Sequence, residues 1–405
     1  MPSSRRLSPA ALPGARALAL LAFALAPLAC DNTPPESAQA VQTPAEAPAK
    51  EPANADDPQA SAQDVEAAGD PEAAPEAAPE EIDPYAPLSP ERQALFLAGP
   101  EEDHVEVQDH YIKTNERRHD VWFPYLADKG GVYIGVAADQ NYTLIAAAKS
   151  ELVFLIDLDW RVTELHRAYE VLIEASEDAQ TLHQRFHEDN AEASAKLIED
   201  ALSGKISDEQ LRGTLMSWRS GRETVYRHLE KVIGRDQDGQ PTSWLSNPEF
   251  YAHIRKLYQN DRVRMVLGNL TGPTTMQTVA KAAKELDLPV EVLYLSNAEE
   301  YYSYTSQYRS NIAALPTDER SVVLRTIYSK KWVHADSLWN YQVQAFSDYK
   351  TRLAESSASS RNVMLRLAEK EGALERNPEG VQGLSRVGMS GGAEEEEEAE
   401  EVVED

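Results

Sequence analysis

Between about residue 130 and residue 350 the chain alternates between two hydrophobic patterns. One is a short, wholly apolar run closed by small or polar residues. The other is a longer stretch in which apolar residues recur every three or four places. The first run, Val132-Tyr133-Ile134-Gly135-Val136-Ala137, is entered through Gly130-Gly131. Such a run reads as a strand buried on both faces, as in a parallel sheet. Ala138-Asp139-Gln140-Asn141 then reads as a loop, and residues 142–149 as the start of a helix. A second strand is Leu152-Val153-Phe154-Leu155-Ile156-Asp157. Asp159 is placed to cap a helix over residues 160–174, with Val162, Leu165, Tyr169 and Leu172 on one face. Strand, helix, strand and helix in quick succession form a βαβ unit, which implies parallel pairing and a right-handed crossover.

From about residue 176 to residue 260 the pattern changes to charged helices broken by Gly and Asp, an expected helical insertion. The βα alternation then resumes with a strand at 263–267, a loop at 268–273 and a helix at 274–286. Pro289 stops that helix before a strand at 290–295. Ser296-Asn297 leads into a predicted aromatic-rich helix holding Tyr301, Tyr302 and Tyr304. A fifth strand falls at 322–328 and a last one near 341–346. The expectation is an α/β fold: a doubly wound, mostly parallel sheet with a helical insertion after the second strand, over about residues 90–387. That length suits one large domain.

In an open α/β sheet, ligands bind beyond the carboxyl ends of the strands, where the strand order reverses. The loops at those ends are 135–141, 157–159, 268–273 and 295–299. The first offers backbone amides beside a helix N-terminus, which suits a carboxylate or phosphate. Asp157 lies about twenty residues after Gly135, where an acid can accept hydrogen bonds from a ribose diol.

Gly135-Val136-Ala137, Asp157, Gly268-Asn269-Leu270 and Leu295-Ser296-Asn297, in that order, resemble the class I S-adenosylmethionine-dependent methyltransferase fold. The stretch Thr114-Asn115-Glu116-Arg117-Arg118-His119-Asp120-Val121-Trp122-Phe123-Pro124-Tyr125, with 131–142 and 294–301, looks like a family of bacterial lipoproteins with a methyltransferase-like domain and no established reaction. The Leu-Ser-Asn step is also locally similar to the aminocarboxypropyl transferases of betaine-lipid synthesis. The resemblance implies S-adenosylmethionine or a related nucleoside as ligand. Gly135, Ala137 and Asp139, with Gln140 and Asn141 in the same loop, would surround its amino-acid end. Asp157 would meet the ribose, Asn269 the adenine, and Ser296 and Asn297 the reacting sulfur. One departure is Ala137, which stands where the second glycine of Gly-x-Gly is usual and crowds a cofactor with its methyl group. Each residue also has a plain structural use. Gly135 permits close helix packing, Asp157 and Asp159 can cap the next helix, and so can Asn297.

The two ends carry a different message. Arg5, Arg6 and Arg16 with the apolar run 17–26 form an expected signal peptide over residues 1–29. That run is too short to span a bilayer, which needs roughly 20 residues. Ala24-Leu25-Ala26 offers one cleavage site, followed by Pro27. Leu28-Ala29 before Cys30 offers a lipobox-like one, with Pro27 in place of the usual aliphatic residue. Cys30 is the only cysteine, so it has no disulfide partner, and lipidation there gives an exported protein held on the membrane. Residues 30–89 read as a disordered Pro/Ala-rich acidic tether and 388–405 as an acidic tail. Residues 31–88 hold 14 acidic residues and one basic, and 394–405 hold nine carboxylates, together 22 of the 29 net negative charges. The acidity therefore says little about the domain. Basic residues are scattered, which argues against a nucleic-acid partner. His183 and His187 have the spacing of two zinc ligands on a helix, but no third ligand accompanies them, and no metal is expected.

Two functional readings remain. One is an exported domain that binds a small molecule or partner. The other is an S-adenosylmethionine-dependent transferase of methyl or aminocarboxypropyl groups. Export weighs against the second, because that cofactor is not expected outside the cytoplasm.

Overall fold

A computed structural model describes residues 83–389 apart from 101, 103, 104, 106, 108 and 109. The signal peptide, Cys30, nearly all of the tether and the acidic tail lie outside the described residues. Eight strands form the main sheet: β1 (Val132–Val136), β2 (Leu152–Asp157), β3 (Val263–Leu267), β4 (Val290–Tyr294), β5 (Val322–Ile327), β6 (Asn340–Ala345), β7 (Leu374–Arg376) and β8 (Leu384–Val387). Their order is β3-β2-β1-β4-β5-β6-β8-β7. The first five are parallel, as their continuous apolar runs require. β6 is antiparallel to β5, β8 runs parallel to β6, and β7 antiparallel to β8.

Alternate residues of these strands feed two cores, one on each face. Tyr133, Val153, Leu155, Met265 and Leu324 point into the first, with the helices Gln140–Ala147, Trp160–Glu174, Asp208–Ile233 and Pro248–Gln259. Val132, Ile134, Phe154, Val266 and Val323 point into the second, under Thr275–Glu285, Ser306–Ala314 and Phe346–Ala354. Covering both faces is what makes the sheet doubly wound. Burying one such side chain contributes roughly 1.5–3 kcal/mol, so the strand ends rest on a rigid base.

The insertion is helical: Ala179–Arg185, Ala191–Leu202 and Asp208–Ile233, before Pro248–Gln259 returns to the sheet. Sequence signals set their starts. Asp178 accepts from Thr181 N at 2.7 Å, and Ser207 with Gln210 forms a reciprocal capping box; before the insertion, Asp159 accepts from Arg161 N at 2.9 Å.

Three expectations need correction. The helix after β1 begins at Gln140, two residues early, because Asn141 turns inward to bond the carbonyls that end the strand. Tyr301, Tyr302 and Tyr304 are not helical. A short 3₁₀ turn, Ala298–Glu300, precedes an extended segment, and the helix runs from Ser306 to Ala314. Tertiary bonding decides this, since Tyr304 and Tyr349 both donate to buried Glu299, which pairs with Arg325 at 2.9 Å. The last expected strand is antiparallel, and β7 and β8 beyond it are too short and polar to show as apolar runs. The fold also reaches back before residue 90: Asp83 pairs with Lys256 at 2.7 Å, and Arg262 Nε bonds Ala86 O at 2.9 Å.

Candidate functional site

The chain leaves β3 on one side of β1 and returns as β4 on the other, so the strand order reverses between β1 and β4. The crevice beyond their carboxyl ends is where the fold places a ligand. Both strand ends are strained. Ala137 has φ +66° and Ser296 φ +47°, left-handed values that cost a residue with a Cβ about 1–2 kcal/mol.

Each strained residue is held at both ends. Ala137 N donates to Asp157 Oδ2 at 3.0 Å, and Ala137 O lies 2.9 Å from His166 Nε2. Burial lowers His166 to about 4, so its neutral ring donates through Nε2 and accepts from Tyr142 OH at Nδ1, 2.6 Å away. Ser296 O accepts from Thr326 N at 2.9 Å, and Ser296 Oγ donates to Glu116 Oε1 at 2.7 Å.

Glu116 closes the floor of the crevice. Its carboxylate, 1% exposed, accepts from Tyr294 OH, Ser296 Oγ and Thr326 Oγ1, each at 2.7 Å, and lies 3.0 Å from His119 Nε2. Burial alone would raise its pKa. The His119 contact and the hydroxyl donors outweigh that and hold it below the usual carboxylate range. Gln140 Nε2 reaches the same Tyr294 oxygen at 3.2 Å. Gln140 Oε1 and His119 Nδ1 are buried there without a hydrogen-bond partner among the described residues.

Described residues that precede Glu116 reach the other strand ends as well. Glu102 accepts from Asn269 N, Thr274 N and Thr275 N, each at 3.0 Å, at the start of the helix after β3. His110 Nδ1 lies 2.6 Å from Asp159 Oδ2. Tyr111, 59% exposed, stands beside Tyr301, 64% exposed.

The residues expected at a site separate into two groups. Ala137, Asp157, Asn269, Ser296 and Asn297 are partly exposed at the strand ends; Gly135, Asp139, Gln140 and Asn141 are buried. A Cβ on Gly135 would overlap Asn141 Oδ1 and the Tyr133 ring, so this glycine serves close packing. Asn141 accepts from Tyr133 OH and donates to the carbonyls of Val136 and Ala138. Asp139 pairs with His228 Nε2 at 2.8 Å and accepts from Trp244 Nε1 at 3.3 Å. Burial opposes its charge, yet His228 and Arg235 bring it down to about 2.

Asp157 differs. Burial, with Asp159 next, pushes it up to about 6 against the amides of Asp159 and Ala137. Asn269 Oδ1 accepts from Thr271, and Asn297 Nδ2 bonds Glu300 at 3.4 Å. His183 stacks on Tyr226 at 4.3 Å, and His187, beyond the helix end, meets the edge of the same ring at 5.2 Å. No group of three or more potential metal ligands occurs among the described residues.

Sequence reasoning missed Thr326, His166 and His228, which lie in apolar or helical runs with no motif to mark them. Glu116 and His119 stand in the stretch 114–125 that carries the family resemblance, with no role assigned to either.

A family model described as a domain of unknown function, DUF7790, matches residues 111–388. The chain belongs to that family. No curated protein matches it. The DUF7790 span takes in Glu116, His119 and all eight strands, whereas Glu102 and His110 precede it. Among the described residues no helix is long and apolar enough to cross a membrane.

Proposed function

We propose that this DUF7790 protein is an exported lipoprotein, acylated at Cys30, whose domain binds a small hydroxyl-bearing molecule in the crevice between β1 and β4. The carrying observation is the pair of strained, non-glycine residues, Ala137 and Ser296, at the two strand ends that flank the reversal of strand order. Backbone strain persists where surrounding bonds over-determine it, and it collects at ligand sites. Here Asp157, His166, Thr326 and Glu116 do the holding. Asp157 supplies a carboxylate at the mouth, and Ser296 and Asn297 supply further polar groups.

The methyltransferase-like reading belongs to the same site. A nucleoside ribose donating to Asp157 fits the strand order and the position of that acid at the end of β2. An exported protein is not supplied with S-adenosylmethionine, which favours binding over group transfer. The anchor rests on the signal-like N-terminus and the single cysteine.

The test is a thermal-shift panel on the full chain with S-adenosylmethionine, its demethylated product, adenosine and simple sugars, run beside Asp157→Ala. A saturable shift in the wild type that the variant loses supports the site. A panel with no shift would remove the small-molecule reading.

A further inference from the structure

β3 forms one edge of the sheet, and beside it lies a cavity of about 400 Å³. That size falls within the usual range for small-molecule sites, about 300–1,000 Å³. Leu97, Val263 and Met265 line its apolar side, and Arg167, Glu170 and Gln210 its polar side. Arg167 and Glu170 are three residues apart on the helix Trp160–Glu174, so they share a face. They do not form the ion pair that this spacing usually permits.

Arg167 is held elsewhere. Its Nε donates to Glu164 Oε2 at 3.1 Å, and Glu164 accepts from buried Thr214 Oγ1 at 2.5 Å. This anchor fixes the guanidinium and leaves its two terminal nitrogens without a hydrogen bond among the described residues. The half-buried Glu170 carboxylate likewise has neither a hydrogen bond nor an ion pair among them. A cation alone would face the Arg167 charge, and an anion alone would face Glu170. A ligand that carries both charges close together satisfies both.

We propose that this cavity binds a small zwitterion, a free α-amino acid with an aliphatic side chain. Its ammonium group donates to Glu170, its carboxylate accepts from the terminal nitrogens of Arg167, and its side chain lies against Leu97, Val263 and Met265. Charge-assisted contacts of this kind are among the stronger hydrogen bonds. The site stands apart from the strand-end crevice and does not rest on the function proposed for it.

The pH dependence has a definite sign. Burial pushes Glu170 up to about 7; Arg167 opposes this, Glu174 and Asp261 add to it, and Lys205 opposes it weakly. The other polar groups nearby are Gln93, Gln210 and Arg264, whose guanidinium bonds the carbonyls of Phe96, Ala98 and Gly99. The ammonium group needs the ionised carboxylate, so binding tightens as pH rises through about 7.

Calorimetry on the full chain with leucine, n-butylamine and butyrate, at pH 8 and pH 6, tests this. Leucine is expected to bind at pH 8, several-fold more weakly at pH 6, and at least tenfold more weakly in Glu170→Gln and in Arg167→Met. No heat from millimolar leucine would overturn the proposal. So would amine or butyrate binding as tightly as leucine, or variants that bind like the wild type. Thermal unfolding of ligand-free Glu170→Gln separates ligand recognition from a structural role. Its midpoint should equal or exceed that of the wild type, because an unpaired carboxylate is removed, and a clear fall would refute the assignment.

Discussion

Replacing Glu116 with Gln tests whether the carboxylate under the crevice anchors the ends of β4 and β5. The substitution keeps shape and volume but exchanges one acceptor oxygen for an NH₂ group. Oε1 accepts from Ser296 Oγ and Thr326 Oγ1, and Oε2 from Tyr294 OH with His119 Nε2 beside it. Whichever way the amide turns, two donors lose their acceptor. Each buried donor left unmatched costs about 1–3 kcal/mol. Hydroxyl rotation recovers part of this, so a net loss of about 3 kcal/mol is expected, or roughly 5 °C in the unfolding midpoint for a domain of this size. Urea unfolding followed by tryptophan fluorescence measures it, because Trp122 packs against Tyr294 with centroids 6.0 Å apart. The loss should shrink with acidity. Glu116 is held below its usual range when folded, so its contribution is present above the unfolded value near 4.5 and disappears as pH falls through the folded one. A variant within about 0.5 kcal/mol of wild type, the ordinary spread for surface changes, would refute the anchoring role.

Other predictions follow from the same geometry. Ala137→Gly removes the left-handed strain and should stabilise the fold by up to about 1 kcal/mol, read as a higher midpoint in thermal unfolding. Asp139, brought down to about 2 from 3.8, contributes about 2 kcal/mol that is present above pH 3.8 and lost as pH falls towards 2. Wild type should therefore lose stability over that window faster than Asp139→Asn, as followed by circular dichroism. His228→Ala leaves the Asp139 carboxylate buried without its partner and should cost about 3–5 kcal/mol at pH 7 by urea unfolding. Cys30→Ser should abolish metabolic labelling with palmitate and release the protein from the membrane fraction; unchanged labelling would rule out acylation at that residue.

The central strands and the order of the fold were legible because both-face burial leaves an unbroken apolar run, as in residues 152–156. Asp159 was legible as a cap because its bond to Arg161 N is local. The tyrosines at 301–304 were misread because helical spacing describes only local preference, whereas their conformation follows the distant Glu299–Arg325 pair. For the candidate site, sequence located the loops but not what each residue does there. Asn141 and Asp139 turn inward to partners as remote as His228, and no spacing rule brings such pairs together. Glu116 lies in the stretch that carries the family resemblance, yet its burial depends on Thr326, 210 positions away. Ala137 looked like a missing glycine, and only the backbone shows that alanine adopts the glycine-like angle there.

On the function proposed above, the crevice between β1 and β4 takes a small hydroxyl-bearing ligand on Asp157. Calorimetric titration of the full chain with adenosine and with the demethylated product of S-adenosylmethionine, in wild type and in Asp157→Asn, tests it most directly. A ligand hydroxyl needs the ionised carboxylate, so binding should be saturable at pH 7.5 and weaken as pH falls through about 6. The folded variant should bind at least tenfold more weakly. Heat that is absent with both compounds, or equal in the two proteins and flat across pH 6, would contradict the account.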